Sequence, residues 1–302
     1  CTLCRAACRR IEQSRRADSR EMIIEAQQHF WQLDRGDYGW LTADLTPLYR
    51  DFLPEDFTPL IQECGVQKSI LVQAAPTVAE TKFLFRLAEE NDFIAGVVGW
   101  VDFESRDAVA QIEELAAQEH LVGLRPMIQD IPDPDWMLKS SLTKAFVRMV
   151  ELGLVFDALV LPIHLPNLRI LLDHHPDLQV VIDHAAKPTI ADGIADTWFE
   201  DIDTLASLPN VCCKVSGLVT EASGDWKPDD LHPVINHLLD SFGPRRLLWG
   251  SDWPVLNLAS QYGEWFRIAS EALSHLNPSE TAAVFGGNAE RIYLNRSTIN
   301  RH

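Results

Sequence analysis

The chain has 302 residues and a formal charge of −18, from 26 Lys and Arg against 44 Asp and Glu. That balance is a poor match for a nucleic-acid backbone or an anionic membrane surface, which are held by excess positive charge. With 46% hydrophobic and 23% charged residues the composition is that of a globular protein, and no apolar run approaches the roughly 20 residues that span a bilayer. A small-molecule partner is therefore expected, with no nucleic acid and no membrane.

The first 21 residues differ from the rest. They carry Arg5, Arg9, Arg10, Arg15, Arg16 and Arg20 against Glu12, Asp18 and Glu21, and no apolar stretch follows to make a secretory signal. Cys1, Cys4 and Cys8 crowd this segment without a nearby fourth ligand, so they read as part of an extension and not as a metal site. The expected organisation is an N-terminal extension over residues 1–21 and one domain over residues 22–302. Cys64, Cys212 and Cys213 lie in apolar or strand-like surroundings. A disulfide framework is unusual in a chain this long, so the expected compartment is reducing and cytoplasmic. The adjacent pair Cys212 and Cys213 has no base beside it and reads as two buried small hydrophobes.

From Met22 onward the chain alternates short runs rich in Val, Ile and Leu with longer amphipathic stretches. This is the habit of buried parallel strands joined by crossover helices. Strands are predicted at Met22–Ala26, Ser69–Gln73, Ile94–Val101, Leu121–Arg125, Leu154–Ala158, Gln179–Asp183, Val211–Val215 and Leu247–Gly250. Helices are predicted at Val78–Asn91, Asp107–Glu119, Ser140–Glu151, Leu165–His174, Leu231–Phe242 and Gln261–Leu273. Eight such units point to an α/β protein, a single (β/α)8 TIM barrel. A doubly wound open sheet is the alternative, but no Gly-x-Gly-x-x-Gly follows the first strand.

In a barrel the chemistry sits at the carboxyl ends of the strands, and polar residues gather there in phase. Gln27, Gln28 and His29 follow strand 1, and Gln73 ends strand 2. Arg125 ends strand 4, Asp157 lies in strand 5, and Asp183, His184 and Lys187 follow strand 6. Lys214 and Ser216 end strand 7, and Ser251 and Asp252 follow strand 8.

The runs Gln28-His29-Phe30-Trp31, Asp183-His184-Ala185-Ala186-Lys187-Pro188, Gly250-Ser251-Asp252-Trp253-Pro254 and Gly287-Asn288-Ala289-Glu290-Arg291 together resemble the amidohydrolase superfamily. Within it they resemble the branch of pyrone-dicarboxylate and sugar-acid lactonases. The likeness runs in order from about Met22 to Asn295. It implies a barrel, hydrolysis at the strand ends, and dimers as a common assembly.

Asp252 is the expected general base, because a carboxylate held at a strand end can take a proton from an attacking water. The other reading of Gly-Ser-Asp-Trp-Pro is a turn or helix cap. His184 is expected to polarise the substrate carbonyl or steady its oxyanion, against a purely structural histidine. His29, Gln73, Arg125, Lys187 and Lys214 are expected to contact substrate, the cations by meeting a carboxylate or a polyhydroxylated ligand. For Arg125 and Lys214 the alternative is an ion pair with Asp102, Asp157 or Asp183. The stretch Phe30 to Trp40 holds four aromatics, as a plug over the barrel or as a stacking wall, with Asp37 and Tyr38 its candidate substrate contacts.

The superfamily pattern at strand 1 is His-x-His, a good pair for zinc. Here Gln27 stands at the first of those positions, and an amide oxygen is a weaker ligand. His29, His184 and Asp252 remain a candidate zinc set with water in the fourth place. The expectation is no required cofactor, with one divalent metal, zinc, left open. The expected activity is Asp-activated hydrolysis of a sugar-acid or dicarboxylate lactone. The alternatives are a metal-dependent decarboxylase of the same superfamily and a relative that binds small molecules without turnover.

Overall fold

The computed structural model describes residues Met22 to Asn295, so the expectations for the N-terminal extension and its three cysteines lie outside the described residues. Eight parallel strands follow in sequence order around one sheet. They are β1 (Ile24–Gln28), β2 (Lys68–Val72), β3 (Ile94–Gly99), β4 (Leu121–Leu124), β5 (Val155–Ala158), β6 (Val180–Ile182), β7 (Val211–Val215) and β8 (Leu247–Trp249). Consecutive pairing with a helix after each strand is the (β/α)8 barrel that the sequence periodicity predicts.

The helices are α1 (Pro54–Cys64), α2 (Val78–Glu90), α3 (Ala108–Ala116), α4 (Thr143–Glu151), α5 (Leu165–His174), α6 (Asp196–Ala206), α7 (Pro228–Phe242), α8 (Tyr262–Ala272) and α9 (Pro278–Ala282). All six predicted helices are present. The pattern reading misses α1, α6 and α9. In α1 and α9 a proline occupies the first turn, where it is tolerated because that N–H has no helical partner, and α1 also carries Pro59 inside its continuous run, which masks the helical pattern in the sequence. β1 runs two residues later than predicted, which brings Gln27 and Gln28 into the strand.

The last gap, between β8 and β1, closes without a regular ladder. Asp252 N donates to Gln27 O (2.8 Å) and His29 N donates to Trp253 O (2.8 Å). The buried Glu25 carboxylate accepts from Ser251 N at 2.7 Å and Gln27 N at 3.0 Å. Gly250 permits this approach, since a Cβ there would stand 2.6 Å from Gln27 Cβ.

Side-chain alternation sorts the strands into an outer face against the helices and an inner face within the barrel. Ile24, Ile70, Val98, Val155, Val181, Cys212 and Leu248 belong to the inner apolar cluster, closed at the amino-terminal end by Tyr293 and its neighbours. Two residues further along three of these strands, on the same face, stand Asp157, Asp183 and Lys214. The inner core therefore changes from apolar to charged toward the carboxyl end. Cys212 and Cys213 are buried and unpaired, and burial pushes both thiols up, Cys212 to about 11.

Candidate active site

His29, His184 and Asp252 come from three different strand ends and meet at one oxygen. His29 Nε2 is 3.1 Å from Asp252 Oδ1, and His184 Nε2 is 3.6 Å from the same atom. All three are buried and line a cavity of about 230 Å3 at the carboxyl ends of the strands.

The second nitrogen of each imidazole is anchored. His29 Nδ1 lies 2.8 Å from Val72 O, and because a carbonyl only accepts, that nitrogen carries the proton. His184 Nδ1 lies 2.9 Å from Ser216 Oγ. Gly217 closes over the His184 ring, and a Cβ at this position would be 2.5 Å from Nδ1.

The segment after β6 is locally unusual. His184, Ala185, Ala186 and Lys187 all have φ between 52° and 57°. Left-handed backbone costs non-glycine residues roughly 1–2 kcal/mol each, and such strain concentrates at functional sites. Here it is held by Trp198 Nε1 donating to Ala185 O (2.8 Å) and Lys187 N donating to His184 O (2.8 Å). The turn brings both His184 and Lys187 to the cavity wall. Asp252 also lies in the left-handed region, at φ 62°.

Burial opposes ionisation of Asp252, but the facing imidazoles of His184 and His29, with Lys187 beyond, outweigh it and hold the carboxyl well below the usual range. Burial likewise dominates at His184 and pushes its imidazole down to about 4 despite Asp252 and Asp183. At neutral pH the pair is thus a carboxylate beside a neutral ring. That combination can accept a proton from water at one atom and offer an N–H at another.

Of the residues singled out in the sequence, His29, His184, Asp252, Arg125 and Lys187 line the cavity. Lys187 also pairs with Glu221 at 3.3 Å. Arg125 is fixed by Asp183 Oδ2 (3.1 Å) and by Gln73, whose side-chain oxygen accepts from Nε (3.1 Å) and Nη2 (2.9 Å) and whose carbonyl also accepts from Nη2. Gln73 is therefore a bracket for Arg125 and does not reach the cavity.

Lys214, expected to contact substrate, does not line the cavity either. Fully buried, it donates to Asp157 Oδ2 (2.6 Å) and Gln27 Oε1 (2.7 Å) and pairs with Asp183 Oδ1 (2.9 Å), one layer below the cavity. Burial opposes its charge, yet the two carboxylates hold its pKa above the usual lysine value.

The aromatic stretch after β1 divides between its two readings. Phe30 and Trp31 are fully buried among Phe52, Phe57 and Trp253, and Tyr38 packs against Trp31 instead of reaching the cavity. Trp40, anchored by Nε1 to Ala74 O (2.7 Å), forms wall. Asp37 accepts from Arg35 and Thr77, both at 2.7 Å, and lines a second lobe beside the cavity. Met127 and Leu159, which also line the cavity, are not recognisable from sequence, because an apolar residue in a loop carries no signal by type alone.

The donor set does not fit a resident metal. Gln27 Oε1 is taken by the Lys214 ammonium, and its Nε2 faces His29 Nε2 at 3.2 Å. His29 Nε2 and His184 Nε2 both face a single Asp252 oxygen, at 3.1 and 3.6 Å. Among the described residues no group of three or more His, Cys, Asp or Glu is arranged to hold a metal ion. The three residues of the candidate zinc set, His29, His184 and Asp252, are thus brought together at one Asp252 oxygen.

Comparison with known proteins adds to this geometry. The family profile described as amidohydrolase matches residues 24–294. An L-fucono-1,5-lactonase from Burkholderia ambifaria is 44% identical over 294 residues, covering 92% of this chain and 98% of the relative. A solved structure of an amidohydrolase from Burkholderia multivorans with bound HEPES has a TM-score of 0.85 at 35% identity, covering 90% of this chain and 99% of the other. A second, with bound zinc and from the same species, has a TM-score of 0.84 at 35% identity over the same shares.

Proposed function

Because the chain belongs to the amidohydrolase family, we propose that it is a hydrolase that opens a lactone ring, with Asp252 as general base. The observation that carries this reading is the meeting of His29 and His184 at Asp252 Oδ1 within the cavity. The L-fucono-1,5-lactonase name of the relative at 44% identity supports a sugar-acid lactone as the substrate class, and a single six-membered ring suits a cavity of about 230 Å3.

In this mechanism water held by Asp252 attacks the lactone carbonyl carbon, and Asp252 takes its proton as the C–O bond forms. His184, neutral at the working pH, accepts from the Ser216 hydroxyl at Nδ1 and donates its Nε2 proton toward the carbonyl oxygen, where negative charge develops. Arg125 and Lys187 add positive potential along the same wall. Collapse of the tetrahedral intermediate breaks the ring C–O bond. The proton on Asp252 passes to the leaving alkoxide, which yields a hydroxy acid and restores the carboxylate.

His29 packs its Nε2 against Asp252 Oδ1 at 3.1 Å, while the Val72 carbonyl holds its other nitrogen. Each step is carried by side chains of this chain. A panel of aldonolactones and pyrone lactones assayed with a pH indicator tests the activity. Release of one proton per ring opened is expected, and no acidification with any lactone would overturn the reading.

A further inference from the structure

Beside the cavity, and sharing Trp40, Met127 and Asp130 with it, lies a second lobe of about 430 Å3. Its apolar wall is built from Trp40, Trp100, Trp136, Met127 and Phe103. This wall is preformed. Trp40 is pinned to Ala74 O and packs edge-on against Trp31 at 5.4 Å, and Trp136 packs edge-on against Phe103 at 6.0 Å. Trp100 and Met127 remain partly exposed, so apolar surface faces open space where a ligand can cover it.

The charged groups on the lobe are all acidic. Asp37 is paired with Arg35 and Glu104 with Lys139, whereas Asp102 and Asp130 have no cationic partner among the described residues. No lysine or arginine lines the lobe. Arg125 and Lys187 are confined to the catalytic cavity. The two compartments therefore ask for different chemistry: a polar ester group in one, and an uncharged apolar group in the other.

We propose that the lobe receives an uncharged alkyl or aryl substituent carried on the lactone ring, so that the enzyme favours neutral substituted lactones and disfavours those whose substituent ends in a carboxylate. The proposal rests on the lactonase reading for its kinetic form. Continuity through Trp40, Met127 and Asp130 fixes the occupant as part of the same substrate molecule, since a ring seated at Asp252 can extend across that shared wall without leaving the protein.

The experiment compares δ-valerolactone, δ-hexalactone, δ-octalactone and δ-decalactone on the full-length protein. Each buried methylene should raise kcat/KM by about twofold to fourfold until the lobe is filled, as expected for transfer of a CH2 from water. A chain of equal length ending in a carboxylate should lose that gain. Trp100→Ala and Met127→Gln should flatten the dependence on chain length, read as the ratio of kcat/KM for δ-decalactone to that for δ-valerolactone.

A flat series in an enzyme that hydrolyses the unsubstituted ring overturns the lobe and leaves the lactonase reading standing. If no lactone is hydrolysed, the lactonase reading fails, and calorimetry on the wild-type protein tests the lobe alone. In that measurement δ-decalactone binding at least tenfold tighter than δ-valerolactone supports it, and equal affinities overturn it.

Discussion

The Lys214 ammonium donates to Gln27 Oε1 at 2.7 Å, across 187 positions of sequence. This one bond fixes the amide so that Gln27 Nε2 faces His29 Nε2, and it ties the charged layer of the barrel to the site above. Lys214 also pairs with both Asp157 and Asp183, while Tyr293 donates to Asp157 Oδ1 at 2.8 Å from the amino-terminal end.

Removing the cation leaves Asp157 buried with only the Tyr293 hydroxyl and Asp183 with Arg125 alone. Lys214→Met should destabilise the fold by about 3–5 kcal/mol, the range for breaking a buried pair by deleting one partner. Urea unfolding measures the loss, and a change below 1 kcal/mol would contradict the burial of this layer.

Asp252→Asn keeps the shape of the side chain and removes the base. Turnover of the preferred lactone should fall by about 10²–10⁴-fold, the range for a positioned general base, with the circular dichroism spectrum and melting temperature close to wild type. Turnover within threefold of wild type would dismiss Asp252 from that role.

Gly217→Ala places a methyl group against His184 Nδ1, where the ideal contact is only 2.5 Å, at a residue with φ 63°. The imidazole must shift, and a displacement of about 1 Å can cost on the order of 100-fold in rate. Lower kcat with a smaller change in KM is expected, and unchanged kcat would show that the ring is free to move.

The acid side of the pH profile follows from two depressed pKa values. Asp252 works as a base only above its own pKa, which lies well below the usual carboxylate range, and His184 stays neutral above about 4. The rate should therefore hold from neutral pH down to about pH 5 and fall below that as the two groups take up protons. An acid limb centred at pH 6 to 7 in kcat/KM would mean that an ordinary histidine governs the reaction.

Chelation tests the donor set. With Gln27 bound to Lys214 and both imidazoles turned to one Asp252 oxygen, extensive dialysis against a chelator should leave kcat within twofold. Stoichiometric zinc whose removal abolishes activity would show that the cluster rearranges around an ion.

The strand-helix alternation was legible because buried parallel strands need near-continuous apolar runs and their helices need an apolar stripe, both of which are properties of neighbouring residues. For the same reason the phase of His29, His184 and Asp252 at strand ends could be read from sequence, and these residues do share one cavity. The left-handed turn from His184 to Lys187 could not be read, because two alanines and a lysine carry no preference for it. Its stability comes from packing and from the Trp198 indole, contributed by α6, a helix that the pattern reading missed.

The sequence by itself determined the order and direction of the elements and which residue types stand at the carboxyl ends of the strands. Depth within the barrel was decided only by the tertiary structure. Arg125 and Lys214 look alike in one dimension, as cations at the ends of apolar strands, yet one lines the cavity and the other lies fully buried below it. The difference is the stagger between strands, which places Lys214 level with Asp157, Asp183 and Gln27 and lifts Arg125 to the cavity wall. Side chains on separate strands share a layer only once the sheet has closed on itself, and local sequence does not encode that alignment.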